Sequence, residues 1–330
     1  MAVRLEEALS GLRGANRQPK IIEPYAGYAT PEHLVVRGRV HDSFAPAAPR
    51  PGQGRFTNLR QMLAMFRTQE VAGATVTAGA QEAMTDEEGY FTLQLERPSV
   101  AGWHDVELTL EANGSTATCP VLVPNPRTSA IVISDIDDTV MKTGAYSLLR
   151  NLWTTFTGSA LTRQVYPDAA VLLHELAARG ERPVYYVSSS PWNLYAFLRS
   201  VFERASVVQG PMFLRDMGLS ETKLITDGHG DHKGQSIDTI LAATPDCSVV
   251  LMGDTGQKDA LIYRDVIERH PGRVKAVVLR APGPGLDDDD RRAIAALEET
   301  GVLVLHGRSF AGFAGRIEEA LAPDRSQEKQ

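Results

Sequence analysis

Apolar and polar positions divide this 330-residue chain into two textures. From about residue 33 to 125 the apolar runs are short and separated by turn residues. In GYFTLQL, Phe91, Leu93 and Leu95 alternate with Thr92 and Gln94, the period of a half-buried strand. LVVRGRV, GATVTAG, WHDVELTLE and TATCPVLV are also rich in β-formers, and TDEEGY supplies a turn between two of the runs. The pattern predicts a β-sandwich over 33–125, preceded by an N-terminal leader at 1–32. One helical interruption is expected: in NLRQMLAMF, Leu59, Met62, Leu63 and Phe66 fall at i, i+3, i+4 and i+7.

After VPNPRTS, a linker at 123–129, the texture changes. AIVISD, PVYYVSSS, SVVLMGD, VKAVVLR and GVLVLHG are short continuous apolar runs, as parallel strands buried on both faces require. Helical patterns lie around 168–179, 191–204, 234–243, 257–269, 288–298 and 310–321. Strands alternating with helices predict an α/β fold, a doubly wound parallel sheet over 126–325. Ligands in such folds bind beyond the carboxyl ends of the strands, so the chemistry is sought there.

Composition narrows the field further. Hydrophobic residues at 43% and charged residues at 23% are ordinary for a globular protein, and a net charge of −7 gives no general affinity for nucleic acid. No stretch approaches the ~18 uncharged apolar residues of a spanning helix, and MAVRLEEALSGLRG lacks the apolar run of a secretory signal. The two cysteines, Cys119 and Cys247, fall in different textures, which argues against a disulfide and suits a reducing cytoplasm.

Three aspartates crowd the end of the first α/β strand in SDIDDTV. On an extended chain Asp135 and Asp137 face one way and Asp138 the other. Facing carboxylates repel, and a divalent cation is their natural third party. Mg²⁺ takes one or two carboxylates and keeps room for water and phosphate oxygens. Helix capping by Asp137 or Asp138 competes with that explanation. The next strand runs into Ser188, Ser189 and Ser190 before Pro191. Ser188 faces the cleft, where its hydroxyl can donate to a phosphoryl oxygen; Ser190 is expected as the N-cap of a helix opened by Pro191. Lys233 opens a helix whose loop can return to the cleft, bringing a point charge to the carboxylates. In GDTGQKD, Asp254 ends a strand and Asp259 lies on the following helix; Asp254 either completes a metal shell or caps. His229 and His232, with Asp227 or Asp231, make a rival zinc set, but the spacing is loose and no cysteine assists.

In this order the motifs resemble those of the haloacid dehalogenase-like (HAD) phosphohydrolase superfamily. Within it, SDIDDTV, YYVSSSPWNLY, HKGQSI and GDTGQKD, with the leader EPYAGYATPEHLVVRGRV, are similar to the App1-type phosphatidate phosphatase family. The resemblance covers about residues 22–280. It implies a HAD-like Rossmannoid catalytic domain with little cap, because only short segments separate Asp137, Ser188 and Lys233. It also implies a Mg²⁺-dependent phosphoric monoester hydrolase. In that family pattern Asp135 is the nucleophile and forms an aspartyl-phosphate. Asp137 protonates the leaving oxygen and then deprotonates the attacking water. Ser188 and Lys233 position and neutralise the phosphoryl group. Asp135, Asp137 and Asp254 hold the metal, with Asp259 behind them. Asp138 stands where many superfamily members have glycine, and the App1-like pattern accepts it. The implied substrate is a lipid phosphate, phosphatidate giving diacylglycerol; the alternative is the same chemistry on a soluble phosphomonoester or phosphoprotein.

Two surface features complete the expectations. In YSLLRNLWTTF, residues 146–156, Leu148, Leu149, Leu152, Trp153 and Phe156 form one apolar helical stripe. It either packs on the domain or dips into lipid, and the sparse cations opposite favour packing. The expected protein is cytoplasmic, without a transmembrane segment, and any peripheral membrane contact rests on this stripe. The Asp287–Asp290 tetrad is expected as a solvated helix start. The β-domain is a candidate module for binding an unnamed partner, in which case removing 1–125 spares the chemistry on a soluble substrate.

Overall fold

The computed structural model describes residues 20–42, 70–142, 165–178, 181–215, 229–256, 258–281 and 285–322, without the side chains of 229–231. The helices expected at 58–66 and 146–156 lie outside the described residues, as does Asp227 of the rival zinc set, and of the rest of that set only the His232 side chain is described.

Seven strands build the first sheet: β1 (Lys20–Ala29), β2 (His33–Asp42), β3 (Thr75–Ala78), β4 (Gln81–Met84), β5 (Tyr90–Glu96), β6 (Gly102–Leu110) and β7 (Ser115–Val123). Their order is β4-β3-β6-β7-β1-β2-β5. Hydrogen bonding joins all seven into one sheet. β1 makes the join. Lys20–Tyr25 pairs antiparallel with β2, the register shifts between Tyr25 and Tyr28, and Gly27 and Tyr28 pair parallel with β7. Such an irregularity bends a strand, so one strand can serve both halves. This strand falls within the expected leader, where Pro24, Ala26 and Gly27 interrupt the apolar pattern. On the predicted strand GYFTLQL, Phe91 and Leu93 are buried and Leu95 packs against the same core. Val36, Val40, Val76, Leu108, Leu110 and Val121 fill it, each contributing roughly 1.5–3 kcal/mol on burial.

The second sheet contains β8 (Ala130–Asp135), β9 (Val184–Pro191), β10 (Met212–Arg215), β11 (Ser248–Asp254), β12 (Val274–Arg280) and β13 (Leu303–Gly307). The order is β10-β9-β8-β11-β12-β13, and every pairing is parallel. Six α-helices occur among the described residues: α1 (Pro167–Leu176), α2 (Tyr195–Arg204), α3 (His229–Ala243), α4 (Asp259–Arg269), α5 (Asp288–Glu298) and α6 (Ala314–Leu321). Successive strand residues point to opposite faces. Ile131, Ile133, Val249 and Leu251 therefore join a core with α3, α4 and α5, while Val132, Val250 and Met252 join another with α1, α2 and α6. All six residues of β8 are buried, as its unbroken apolar run requires. The architecture is mixed α/β, with helices on both faces of a parallel sheet. No helix of the described residues is long and apolar enough to cross a membrane.

Two local outcomes bear on the expectations. The acidic tetrad does start a helix: Asp287 caps α5, accepting from the Asp290 amide, while Asp290 accepts from the Asp287 amide. Ser190, by contrast, is not an N-cap. β9 continues through Pro191, a 3-10 turn covers Trp192–Leu194, and α2 starts at Tyr195 behind Leu194. Proline suits an extended strand end as well as a first helical turn, so Pro191 misplaced the start.

Candidate active site

Parallel strands deliver their last residues to one edge of the sheet. β8 and β11 are neighbours and end in Asp135 and Asp254; β9, on the other side of β8, carries Ser188 near its end. After β8 the chain makes a tight loop. The Val140 and Met141 amides both donate to the Ile136 carbonyl, and the Asp138 amide donates to the Met141 carbonyl. Asp138 has φ 57°, a left-handed conformation that aspartate tolerates better than bulkier residues. That backbone places Asp137 beside β9, where the Ser188 hydroxyl donates to Asp137 Oδ2 at 2.6 Å and the Ser190 hydroxyl donates to the same oxygen at 3.0 Å. The Ser190 amide in turn donates to Ser188 Oγ at 2.9 Å.

Lys233 enters from the second turn of α3, which begins four residues earlier than the sequence pattern placed it, at His229. Its Nζ lies 2.7 Å from Asp135 Oδ1 and donates to Asp259 Oδ1 at 2.6 Å. Asp259 opens α4, and its Oδ2 accepts from the Asp254 amide at 3.2 Å. Gly253 permits this approach: a Cβ there would sit 2.6 Å from Asp259 Oδ2 and 2.8 Å from the Tyr263 hydroxyl. Asp135, Ser188, Asp254 and Asp259 are fully buried, and Lys233 nearly so.

Asp135, Asp254 and Asp259 can bring one oxygen each within 4.8 Å of one another. Like charges that close repel by at least about 3 kcal/mol per pair at an effective dielectric constant of about 20. One ammonium does not offset that for three carboxylates. Burial, reinforced by Asp259, Asp137 and Asp254 and opposed by Lys233, pushes the Asp135 carboxyl well above the usual range. Burial and then Asp259 push Asp254 up to about 8. Burial also raises Asp137, against the two serine hydrogen bonds. Burial alone would discharge Lys233, but Asp135 and Asp259 override it and hold the ammonium charged.

The donor chemistry fits a hard divalent cation. Asp135 Oδ2 and Asp254 Oδ2 are buried with no hydrogen-bond partner among the described residues. Of the expected ligands, Asp135 and Asp254 come together with Asp259, whereas the Asp137 side chain turns to Ser188 and Ser190. Those two hydroxyls bear on Asp137 directly, and Ser190 is the participant that the sequence pattern assigned to capping. A run of serines beside a DxD loop is the signal that was available for it.

Behind the loop, Arg280 at the end of β12 donates to the Thr139 carbonyl at 3.0 Å and to Asp168, with its guanidinium between Tyr166 and Phe310 at 3.9 and 4.1 Å. In front of it opens a cleft of about 1010 Å³. Asp138, Thr255 and Gly256 form its inner edge, Lys142 and Lys258 flank it, and Leu261, Ala293 and Ala296 give it apolar wall.

Residues 130–281 match the family model described as phosphatidate phosphatase APP1, catalytic domain. Asp135, Asp137, Ser188, Ser190, Lys233, Asp254 and Asp259 all fall within that match. Phosphatidate phosphatase APP1 of Saccharomyces cerevisiae is 29% identical over 161 residues, 48% of this chain and 27% of that protein. An uncharacterised protein of Schizosaccharomyces pombe is 26% identical over 155 residues, 47% of this chain and 25% of its own length. The chain thus matches about a quarter of the length of each of these curated relatives. Among solved structures, the PilB minor pilin of Streptococcus sanguinis aligns over 76% of this chain and 87% of its own. Its 9% identity and TM-score of 0.30 carry no argument. Residues 130–281, the segment that builds the carboxylate site, are thus similar to the App1 catalytic domain.

Proposed function

We propose that this chain is a Mg²⁺-dependent phosphoric monoester hydrolase of HAD-like fold and mechanism, acting on a lipid phosphate, with phosphatidate giving diacylglycerol. The observation that carries the proposal is the pair of unpartnered buried oxygens, Asp135 Oδ2 and Asp254 Oδ2, on adjacent strand ends above a lysine bridge. Asp135 and Asp254 are the carboxylates to hold Mg²⁺, and Asp259 fixes Lys233 and the Asp254 backbone behind them. When bound, Mg²⁺ supplies charge neutralisation for the phosphoryl oxygens.

Asp135 is the nucleophile. Its carboxylate attacks phosphorus, the bond to the leaving alkoxide breaks, and an aspartyl-phosphate forms, which splits one hard step into two. Lys233 neutralises charge beside the attacking group, and such stabilisation dominates phosphoryl transfer. Asp137, which burial favours in its protonated form, gives its proton to the leaving oxygen. It then takes a proton from the water that hydrolyses the intermediate. Ser188 and Ser190 hold the carboxyl in line for both transfers.

The lipid substrate is taken from the name of the yeast relative and is supported by the cleft, which adjoins the loop and has apolar wall beside two lysines. A soluble phosphomonoester or phosphoprotein is the second reading, favoured by the acidic rim of Asp287, Asp289 and Asp290 on the same cleft. Phosphate release from phosphatidate micelles and from a panel of soluble phosphomonoesters, each with Mg²⁺ or with EDTA, separates them. Preference for phosphatidate, lost in EDTA and in Asp135→Asn, is expected. Equal turnover in EDTA would sink the metal-dependent mechanism.

A further inference from the structure

The seven-stranded sheet does not stand apart from the chemistry. Its β1 enters both cores of the α/β unit: Tyr25 joins the core that contains α1 and α2, while Tyr28, with Val35 of β2, joins the core that contains α3 and α4. The contacts concentrate on one segment, the 3-10 turn and first residue of α2 that follow Ser188 and Ser190. Trp192 stacks on Tyr25 with ring centroids 4.3 Å apart and planes 17° apart. Asn193 Oδ1 accepts from Arg39 at 3.0 Å. The Tyr195 hydroxyl accepts from the Ala26 amide at 2.8 Å. Three of the four residues from 192 to 195 are thus held by the other sheet, two to five positions beyond Ser190.

Arg39 is built for this task. It is buried and held from three sides, donating to the Glu88 carbonyl at 2.9 Å and pairing with Glu70 at 2.6 Å, with Tyr90 beneath it at 5.0 Å. Only one guanidinium arm is left to reach Asn193. Arg37, on the same strand, lies 5.3 Å from the Trp192 ring and donates to the Met212 carbonyl of β10, the strand beside β9. No capping side chain fixes the start of α2. These contacts tie its start to the first sheet, and Ser188 and Ser190, at the end of β9, immediately precede that anchor.

We propose that Tyr25 and Arg39 are positioning residues for the proton-transfer side of the site, acting through Trp192 and Asn193 on the two serines that hold Asp137. This rests on the phosphatase reading above. It makes the seven-stranded sheet part of the catalytic machinery rather than a detachable module.

The test uses the full chain and three variants: Tyr25→Leu, which removes the stack; Tyr25→Phe, which keeps it and drops only a hydroxyl without a hydrogen-bond partner among the described residues; and Asn193→Ala, which cuts the Arg39 link from the loop side. With a soluble phosphomonoester, Tyr25→Leu and Asn193→Ala should lower kcat by about tenfold with KM within about twofold, and Tyr25→Phe should restore kcat. In the same two variants, amide exchange over 188–195 should rise by about tenfold while β12 is unchanged. Unchanged kcat and exchange, an effect confined to KM, or equal acceleration in β12 would overturn the proposal. If the wild-type chain releases no phosphate from any substrate, the phosphatase reading falls, and the exchange measurement still decides whether the sheet positions the serine loop.

Discussion

Single carboxylates carry most of what can be tested. In the unfolded chain an aspartate titrates near ~4. Folded without metal, Asp254 keeps its proton to about 8. Between those values the folded state binds a proton that the unfolded state has lost, so stability falls as pH rises through that window and levels above it. A dication that stabilises the ionised carboxylate reverses the penalty. The rise in Tm on adding Mg²⁺ should therefore grow between about pH 5 and about pH 8; a rise that shrinks with pH would contradict the assignment of Asp254. Ser190 gives a second test. Removing one of two hydroxyls from Asp137 costs its ionised form, the one that takes the proton from water, a hydrogen bond worth about 1.5–3 kcal/mol. Ser190→Ala should lower kcat at least about tenfold with little change in KM, and a variant with wild-type kcat would return Ser190 to a structural part.

At the level of elements, what could be read from sequence depended on whether the cause was local. The unbroken apolar runs of β8, β9, β11 and β12 identify buried parallel strands because each records its own burial on both faces. The acidic start of α5 is likewise local, since cap and charge lie within one turn. β1 was hidden because its role depends on partners: a strand that pairs with β2 on one edge across a register shift, and with β7 on the other, follows no single alternation. β10, four residues at the sheet edge, is too short to stand out. Asp135, Ser188 and Asp254 were legible from their order at strand ends, and Lys233 from its place between two of them. The turn of Asp137 toward two serines was not, because it follows from the left-handed Asp138 and the path beyond Pro191. The β11–α4 junction offers its own check. Gly253→Ala would drive a methyl against Asp259 and Tyr263, and overpacking of this kind costs about 1–3 kcal/mol. The variant should lose thermal stability and Mg²⁺-dependent protection together; wild-type Tm with wild-type activity would show that the junction yields.

Across the whole molecule, the two sheets share cores, and the α/β unit ends at neither side of the linker. Tyr25, Tyr28 and Val35 leave apolar surface uncovered on the catalytic unit if the first sheet is removed. The intact chain should therefore unfold in one thermal transition, and the chain lacking residues 1–125 should be less stable and inactive even on soluble substrate. Two well-separated transitions with full activity in the truncated chain would restore the picture of a detachable binding module. The proposed function unites the site, the metal and the proton path through a phosphoryl group carried on Asp135. Acid quenching of the intact enzyme during turnover of phosphatidate with Mg²⁺, followed by peptide mass mapping, tests this most directly. An acid-stable, hydroxylamine-sensitive phosphoryl group on the peptide bearing Asp135, absent in EDTA and in Asp135→Asn, is expected. Turnover by the wild-type enzyme with the phosphoryl group on another residue, or undiminished turnover by Asp135→Asn, would contradict it.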